Sequence, residues 1–252
     1  MQGLKNHLKF IPNTITCLNL ASGCFATIMA LEGDLKWAAG FIFLGAAFDF
    51  FDGLLARVLK AFSSMGKELD SLADMVTFGI APGMIIYNLQ QKALFGETLP
   101  VKDLNGEWWQ MILLFSSFLI PVFSGIRLAK FNIDQRQTTS FIGMPTPSNA
   151  IFWAAIGILS EINDSHAFKN IVSNSLILAL ITVGMSLLLI AEFPMFSLKF
   201  NHLKFKGNQL RFLLIALSIG FIFYFGIAGI PLAILSYIAL SLFENIMKKA
   251  RS

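Results

Sequence analysis

The stretch Phe41-Ile-Phe-Leu-Gly-Ala-Ala-Phe-Asp49-Phe-Phe-Asp52-Gly53-Leu-Leu-Ala56-Arg57, followed after eight residues by Gly66-Lys-Glu-Leu-Asp70-Ser-Leu-Ala-Asp74 and then by apolar sequence to Tyr87, decides the fold. It is apolar enough to lie in a bilayer, yet it carries four aspartates at helical spacing. A single charged side chain at the bilayer centre costs on the order of 3 kcal/mol or more. A quartet therefore implies a bound cation.

The rest of the chain has the same character. Of 252 residues, 56% are hydrophobic, 13% are charged and 26 are Phe, with a mean hydropathy of +0.69. A soluble domain carries about twice that share of charge, so lipid is the solvent for most of this surface. The net charge of +4 and pI near 9.1 could signal nucleic acid. The basic residues instead fall in short clusters beside apolar runs, where they meet lipid head groups, and nucleic acid is set aside as a partner.

Apolar runs near the spanning length of ~20 residues occur at Asn13 to Leu31, Trp37 to Lys60, Leu69 to Gln91, Trp108 to Phe131, Ser148 to Ile162 and Ile171 to Phe193. Leu210 to Phe243 is too long for one span and is interrupted by Gly226-Ile-Ala-Gly229-Ile-Pro231, which reads as a turn between two shorter spans. The expectation is an all-α, polytopic membrane helix bundle of about eight transmembrane helices, forming one domain over residues 1–252. Its catalytic core would cover about 12–150, with additional C-terminal helices at about 151–252. An even count puts both termini on one side, together with 15 of the 19 basic residues, among them Arg57, Lys60, Lys67, Arg127, Lys130, Arg136, Lys199, Lys204, Lys206, Arg211 and Arg251. Lys36, Lys92, Lys102 and Lys169 fall opposite. By the positive-inside rule both termini and the aspartates are cytoplasmic, in the cell (inner) membrane.

Residues Met1 to Ile11 place Leu4, Leu8 and Ile11 on one helical face beside Lys5 and Lys9, which suits an interfacial amphipathic helix. Cys17 and Cys24 lie two turns apart on one helix and cannot bridge each other. His7, His166 and His202 are isolated in expected loops or ends. None of these five is assigned a function.

Asp49, Asp52 and Ala56 share one face of the second span, and Asp70 and Asp74, four apart, begin the third. The polar turn containing Lys60, Ser63, Ser64 and Gly66 returns the chain on itself, so the carboxylate pairs face one another. Such an oxygen-rich anionic cleft selects Mg²⁺, Mn²⁺ or Ca²⁺ and has room for two ions. Gly53, Ala56 and Gly66 remove bulk where a phosphorylated group would approach, and Arg57 adds a cation suited to phosphate.

The complete pattern of Asp49, Asp52, Gly53, Ala56, Arg57, Gly66, Asp70 and Asp74 resembles the signature of the CDP-alcohol phosphotransferase family. Ile11-Pro-Asn13-Thr-Ile-Thr16, Leu69 to Pro82, Arg127-Leu-Ala-Lys-Phe-Asn132 and Phe141-Ile-Gly-Met-Pro-Thr-Pro147 are further similar to the members of that family that use serine as acceptor; Lys130 stands where Arg is expected. The resemblance implies a divalent-metal enzyme in which Asp49, Asp52, Asp70 and Asp74 would bind two ions and Asp74 would act as catalytic base. It implies CDP-diacylglycerol and L-serine as substrates, transfer of a phosphatidyl group to the serine hydroxyl with release of CMP, and a homodimer. Asn13, Gly53, Ala56, Arg57 and Gly66 would seat the CDP-lipid. Arg127 is the candidate for the serine carboxylate, with Asn132 beside it; a plain interfacial anchor is the competing reading. Phe141 to Pro147 is expected to be a rigid loop entering the fifth helix.

Two alternatives remain at this stage. The acceptor could be glycerol phosphate or inositol phosphate, since the aspartate motif encodes the donor. From another class, intramembrane acids mark cation or proton transporters, but here all four aspartates map toward one side.

Overall fold

The computed structural model describes residues 2–134, 141–196 and 208–249. Arg136, Lys199, His202, Lys204, Lys206 and Arg251 lie outside the described residues, as do the side chains of residues 1–9, on which the interfacial-helix expectation rests.

Helix α1 (Gln2–Glu32) ends at Gly33, whose φ of +87° suits glycine. Asp34 then caps α2 (Leu35–Val58) by accepting a hydrogen bond from the Trp37 amide. After a short turn, Ser63 caps α3 (Ser64–Phe95) by accepting from the Gly66 amide. Within α3 the segment Met75–Ile80 widens into π-helix. Helix α4 (Trp108–Ile133) contains a 3₁₀ turn at Ser116–Phe118. Helix α5 (Thr146–Ile162), a bent pair α6 (His166–Val172) and α7 (Ser175–Ile190), and a final pair α8 (Gln209–Phe225) and α9 (Gly229–Lys249) complete the bundle.

The loop into α5 is fixed as expected. Strand β1 (Phe141–Ile142) pairs antiparallel with β2 (Pro194–Met195), and the Met144 amide donates to the Leu188 carbonyl. Gly143 has φ +73°, and a Cβ there would stand 2.7 Å from the Leu189 carbonyl oxygen. Pro145 and Pro147 then lead into the first turn of α5.

Small residues let the inner helices approach. Ala26, Ala30, Ala38, Ala39, Ala81 and Ala154 are fully buried where α1, α2, α3 and α5 meet. Outward faces are apolar: Phe50 and Phe223 are 61% and 81% exposed. Trp37 and Trp108, both exposed, begin α2 and α4 at the ends remote from the aspartates and Arg127, as an interfacial aromatic belt would.

Among the described residues, five helical stretches are long and apolar enough to cross a membrane, and α6 with α7, bent by 75°, makes a sixth if taken as one. The expected count of eight thus stands at five to six. Two causes are visible. Helix α5 has 17 residues, which at 1.5 Å each falls short of a ~30 Å hydrocarbon core. Gln209–Met247 is one apolar stretch of 39 residues, interrupted where Gly226 takes φ +57° and α8 and α9 pack on each other.

Candidate active site

The α2–α3 hairpin brings one carboxylate oxygen from each of Asp49, Asp70 and Asp74 to within 4.8 Å of one another. Asp52, 5% exposed, stands one turn along α2 and accepts a 2.6 Å hydrogen bond from the Thr16 hydroxyl. Among the described residues none of the four is ion-paired with Lys or Arg. Three convergent hard oxygens without a cationic partner fit a divalent ion, so the donor set passes the test that its chemistry imposes.

Helix α1 supplies the third wall. Asn19, fully buried, donates from Nδ2 to Asp74 Oδ1 at 3.4 Å, and its carbonyl accepts from the Thr77 hydroxyl at 2.9 Å. Thr77 lies in the π-helical segment and is wedged between Gly23 of α1 and Gly45 of α2. A Cβ on Gly45 would stand 2.5 Å from Thr77 Cγ2, and one on Gly23 would collide with the Thr77 hydroxyl and backbone. These contacts lock the three helices directly behind Asp74.

A cavity of about 270 Å³ opens beside the cluster, lined by Asn13, Thr16, Asp49, Asp52, Asp70 and Lys67 among its polar residues. Gly53, Ala56 and Gly66 line it as expected. A Cβ at Gly66 would stand 2.9 Å from Asn13 Oδ1, so glycine there is what allows α1 and the start of α3 to meet. Arg57 is not on this wall; exposed at the rim, it folds back and donates from Nε to the Gly53 carbonyl at 2.8 Å.

Arg127 sits elsewhere. It is 7% exposed, donates from Nη1 to Thr146 Oγ1 at 3.1 Å and lies 5.9 Å from the Phe131 ring. A buried guanidinium bonded to α5 is more than an interfacial anchor, which would reach for head groups. Asn132 is turned to α3, donating from Nδ2 to Ser71 Oγ at 2.8 Å, while its carbonyl accepts from Lys67 Nζ at 3.0 Å. The two candidates for serine are therefore held by different helices.

Thr16, Asn19, Lys67 and Thr77 were not singled out from sequence. The signal was present for two of them: Asn13, Thr16 and Asn19 recur every third residue in an apolar span, which places them on one side of α1.

A family model for CDP-alcohol phosphatidyltransferase matches residues 9–190. The chain belongs to the CDP-alcohol phosphatidyltransferase family. Within it, the chain is 36% identical to a CDP-diacylglycerol–serine O-phosphatidyltransferase of Bacillus subtilis over 197 residues, covering 78% of this chain and 93% of the relative. It is 34% identical to the protein of that name from Mycobacterium leprae, over 75% of this chain but only 59% of the longer relative. An archaetidylserine synthase of Methanothermobacter thermautotrophicus is 27% identical over 56% of this chain and 54% of its own length. The family match includes every aspartate of the cluster and ends before α8 and α9.

Proposed function

We propose that this family member is a phosphatidylserine synthase, transferring the phosphatidyl group of CDP-diacylglycerol to the hydroxyl of L-serine and releasing CMP. The observation that carries the reading is the meeting of Asp49, Asp70 and Asp74 beside a cavity flanked by glycine and alanine, in a chain whose relatives bear that name. Asp49, Asp52, Asp70 and Asp74 would hold a pair of divalent ions, Mg²⁺ or Mn²⁺ by donor chemistry with Ca²⁺ also accommodated, and these would neutralise the pyrophosphate and departing CMP.

The chain's own residues do the rest. Asn13, Gly53, Ala56 and Gly66 seat the nucleotide end of the lipid, with Arg57 and Lys67 as cations toward phosphate. Asp74 takes the serine hydroxyl proton as that oxygen bonds to the diacylglycerol-linked phosphorus and the bond from phosphorus to the CMP oxygen breaks. Asn19 steadies Asp74 by donating to one carboxylate oxygen. Arg127 receives the serine carboxylate, and Asn132 positions α4 against α3 through Ser71. Asp134 and Glu192 share a small cavity with Arg127 and Lys130, a mixed-charge setting that favours a zwitterionic acceptor over glycerol phosphate or inositol phosphate.

The protein would work as one domain in the cell membrane, with both termini and the aspartates cytoplasmic; the asymmetry of basic residues supports this. Eight crossings result if α5, the α6–α7 pair, α8 and α9 each cross. A homodimer is supported by the family resemblance. The test is an acceptor screen with purified protein, CDP-diacylglycerol and Mg²⁺ or Mn²⁺. Labelled L-serine should enter lipid while glycerol 3-phosphate and inositol phosphate do not; lipid product from a phosphorylated acceptor alone would reject the serine assignment.

A further inference from the structure

Within one turn of the Arg127–Thr146 bond, α4 and α5 carry four buried side-chain atoms without a hydrogen-bond partner, Ser124 Oγ, Arg127 Nε, and both Nδ2 and Oδ1 of Asn149, and Trp153 Nε1 is a fifth one turn deeper on α5. Ser124 and Asn149 are fully buried. Buried polar atoms are almost always paired, so such a concentration has to be explained.

The two helices run antiparallel with a readable register. Arg127 is bonded to Thr146, and one turn deeper in each helix come Ser124 and Asn149; a further turn brings Ile120 and Trp153, which pack in one buried cluster. Ser124 and Asn149 thus stand at the same depth. The backbones of α4 and α5 scarcely approach one another, whereas both pack on the π-helical segment that follows Asp74. A Cβ on Gly79 of that segment would stand 3.2 Å from Ser124 Cβ, so Ser124 packs against α3 five residues past Asp74. A small cavity lined by Arg127, Lys130, Asp134 and Glu192 lies beside this cluster at Arg127.

We infer that Ser124 and Asn149 are specificity-determining residues for the acceptor, binding the α-ammonium group of serine beside the Arg127–carboxylate contact. This rests on the serine reading above and deepens it. The chemistry matches atom for atom: an ammonium needs oxygen acceptors, which Asn149 Oδ1 and Ser124 Oγ offer, and a carboxylate needs donors, which Arg127 Nε and Asn149 Nδ2 offer. Bound serine would satisfy the four unpartnered atoms at once, with its hydroxyl free to face Asp74. An acceptor lacking the amino group would leave Asn149 Oδ1 and Ser124 Oγ unpaired, which is how a site built of buried polar groups rejects an analogue.

The experiment compares L-serine with 3-hydroxypropionate, which keeps the hydroxyl and carboxylate and lacks the ammonium, in the purified full-length protein and in Ser124→Ala and Asn149→Leu. Each variant should raise the KM for L-serine about tenfold or more, leave the KM for CDP-diacylglycerol within about twofold, and shrink the preference for serine over 3-hydroxypropionate. Ser124→Ala removes one oxygen and is the variant least able to disturb folding. A parallel change toward both acceptors, or an unchanged KM for serine in Ser124→Ala, would overturn the assignment while leaving the serine synthase reading intact. Failure of the unaltered protein to use serine would overturn both.

Discussion

At the scale of single residues the four carboxylates differ in their surroundings. Asp49, Asp70 and Asp74 converge, whereas Asp52 is tied to Thr16. If Asp74 is the base, Asp74→Asn should lower transfer by roughly 10²–10⁴-fold, the usual worth of a positioned acid or base, while Thr16→Val, which removes the hydroxyl shared between Asp52 and the Pro12 carbonyl and leaves all four carboxylates, should cost far less. Initial rates at saturating serine and CDP-diacylglycerol decide it, and near-normal turnover of Asp74→Asn would remove Asp74 from the mechanism. The quartet was legible from sequence because four acids in an apolar region have few benign explanations. Thr16 and Asn19 were not, since a Thr in an apolar helix commonly bonds its own backbone, as Thr16 also does to the Pro12 carbonyl. Arg127 was placed at the right end of α4, but its bond to Thr146 joins residues 19 apart and has no signature in local spacing.

At the scale of elements, the π-helical segment after Asp74 explains how three helices close on the site. Thr77 fills the space between Gly23 and Gly45, and the two glycines make different demands. Gly45→Ala meets the Thr77 methyl, so it should destabilise the protein by about 1–3 kcal/mol, the usual range for overpacking, and Thr77→Ser in the same chain should recover part of that loss. Gly23→Ala meets Thr77 backbone and hydroxyl and should gain no such rescue. Thermal unfolding in detergent compares the four variants; equal rescue of both glycine substitutions would contradict this packing. Periodicity and composition revealed the helices and the rigid approach to α5. They did not reveal the π-helical widening or the 75° bend between α6 and α7, because an apolar run records its surroundings and not its path.

At the scale of the molecule, the aspartate cleft lies toward one end of the bundle with Arg57, Lys60 and Lys67 beside it, and the exposed Trp37 and Trp108 mark the other. With Cys17 and Cys24 replaced, Asp103→Cys should react with an impermeant maleimide in intact cells, and Lys60→Cys only after permeabilisation. The reverse pattern would invert the proposed orientation.

The central claim is that acidic side chains deep in this bundle are tolerated because they capture divalent cations, and that this capture is required for transfer. Mn²⁺ binding to the purified protein, followed by electron paramagnetic resonance alongside serine transfer, tests it directly. The unaltered protein should bind Mn²⁺ and lose transfer reversibly on chelation, and Asp49→Asn with Asp70→Asn should lose both properties together. Full transfer after exhaustive chelation, or undiminished Mn²⁺ binding in the double variant, would contradict the account.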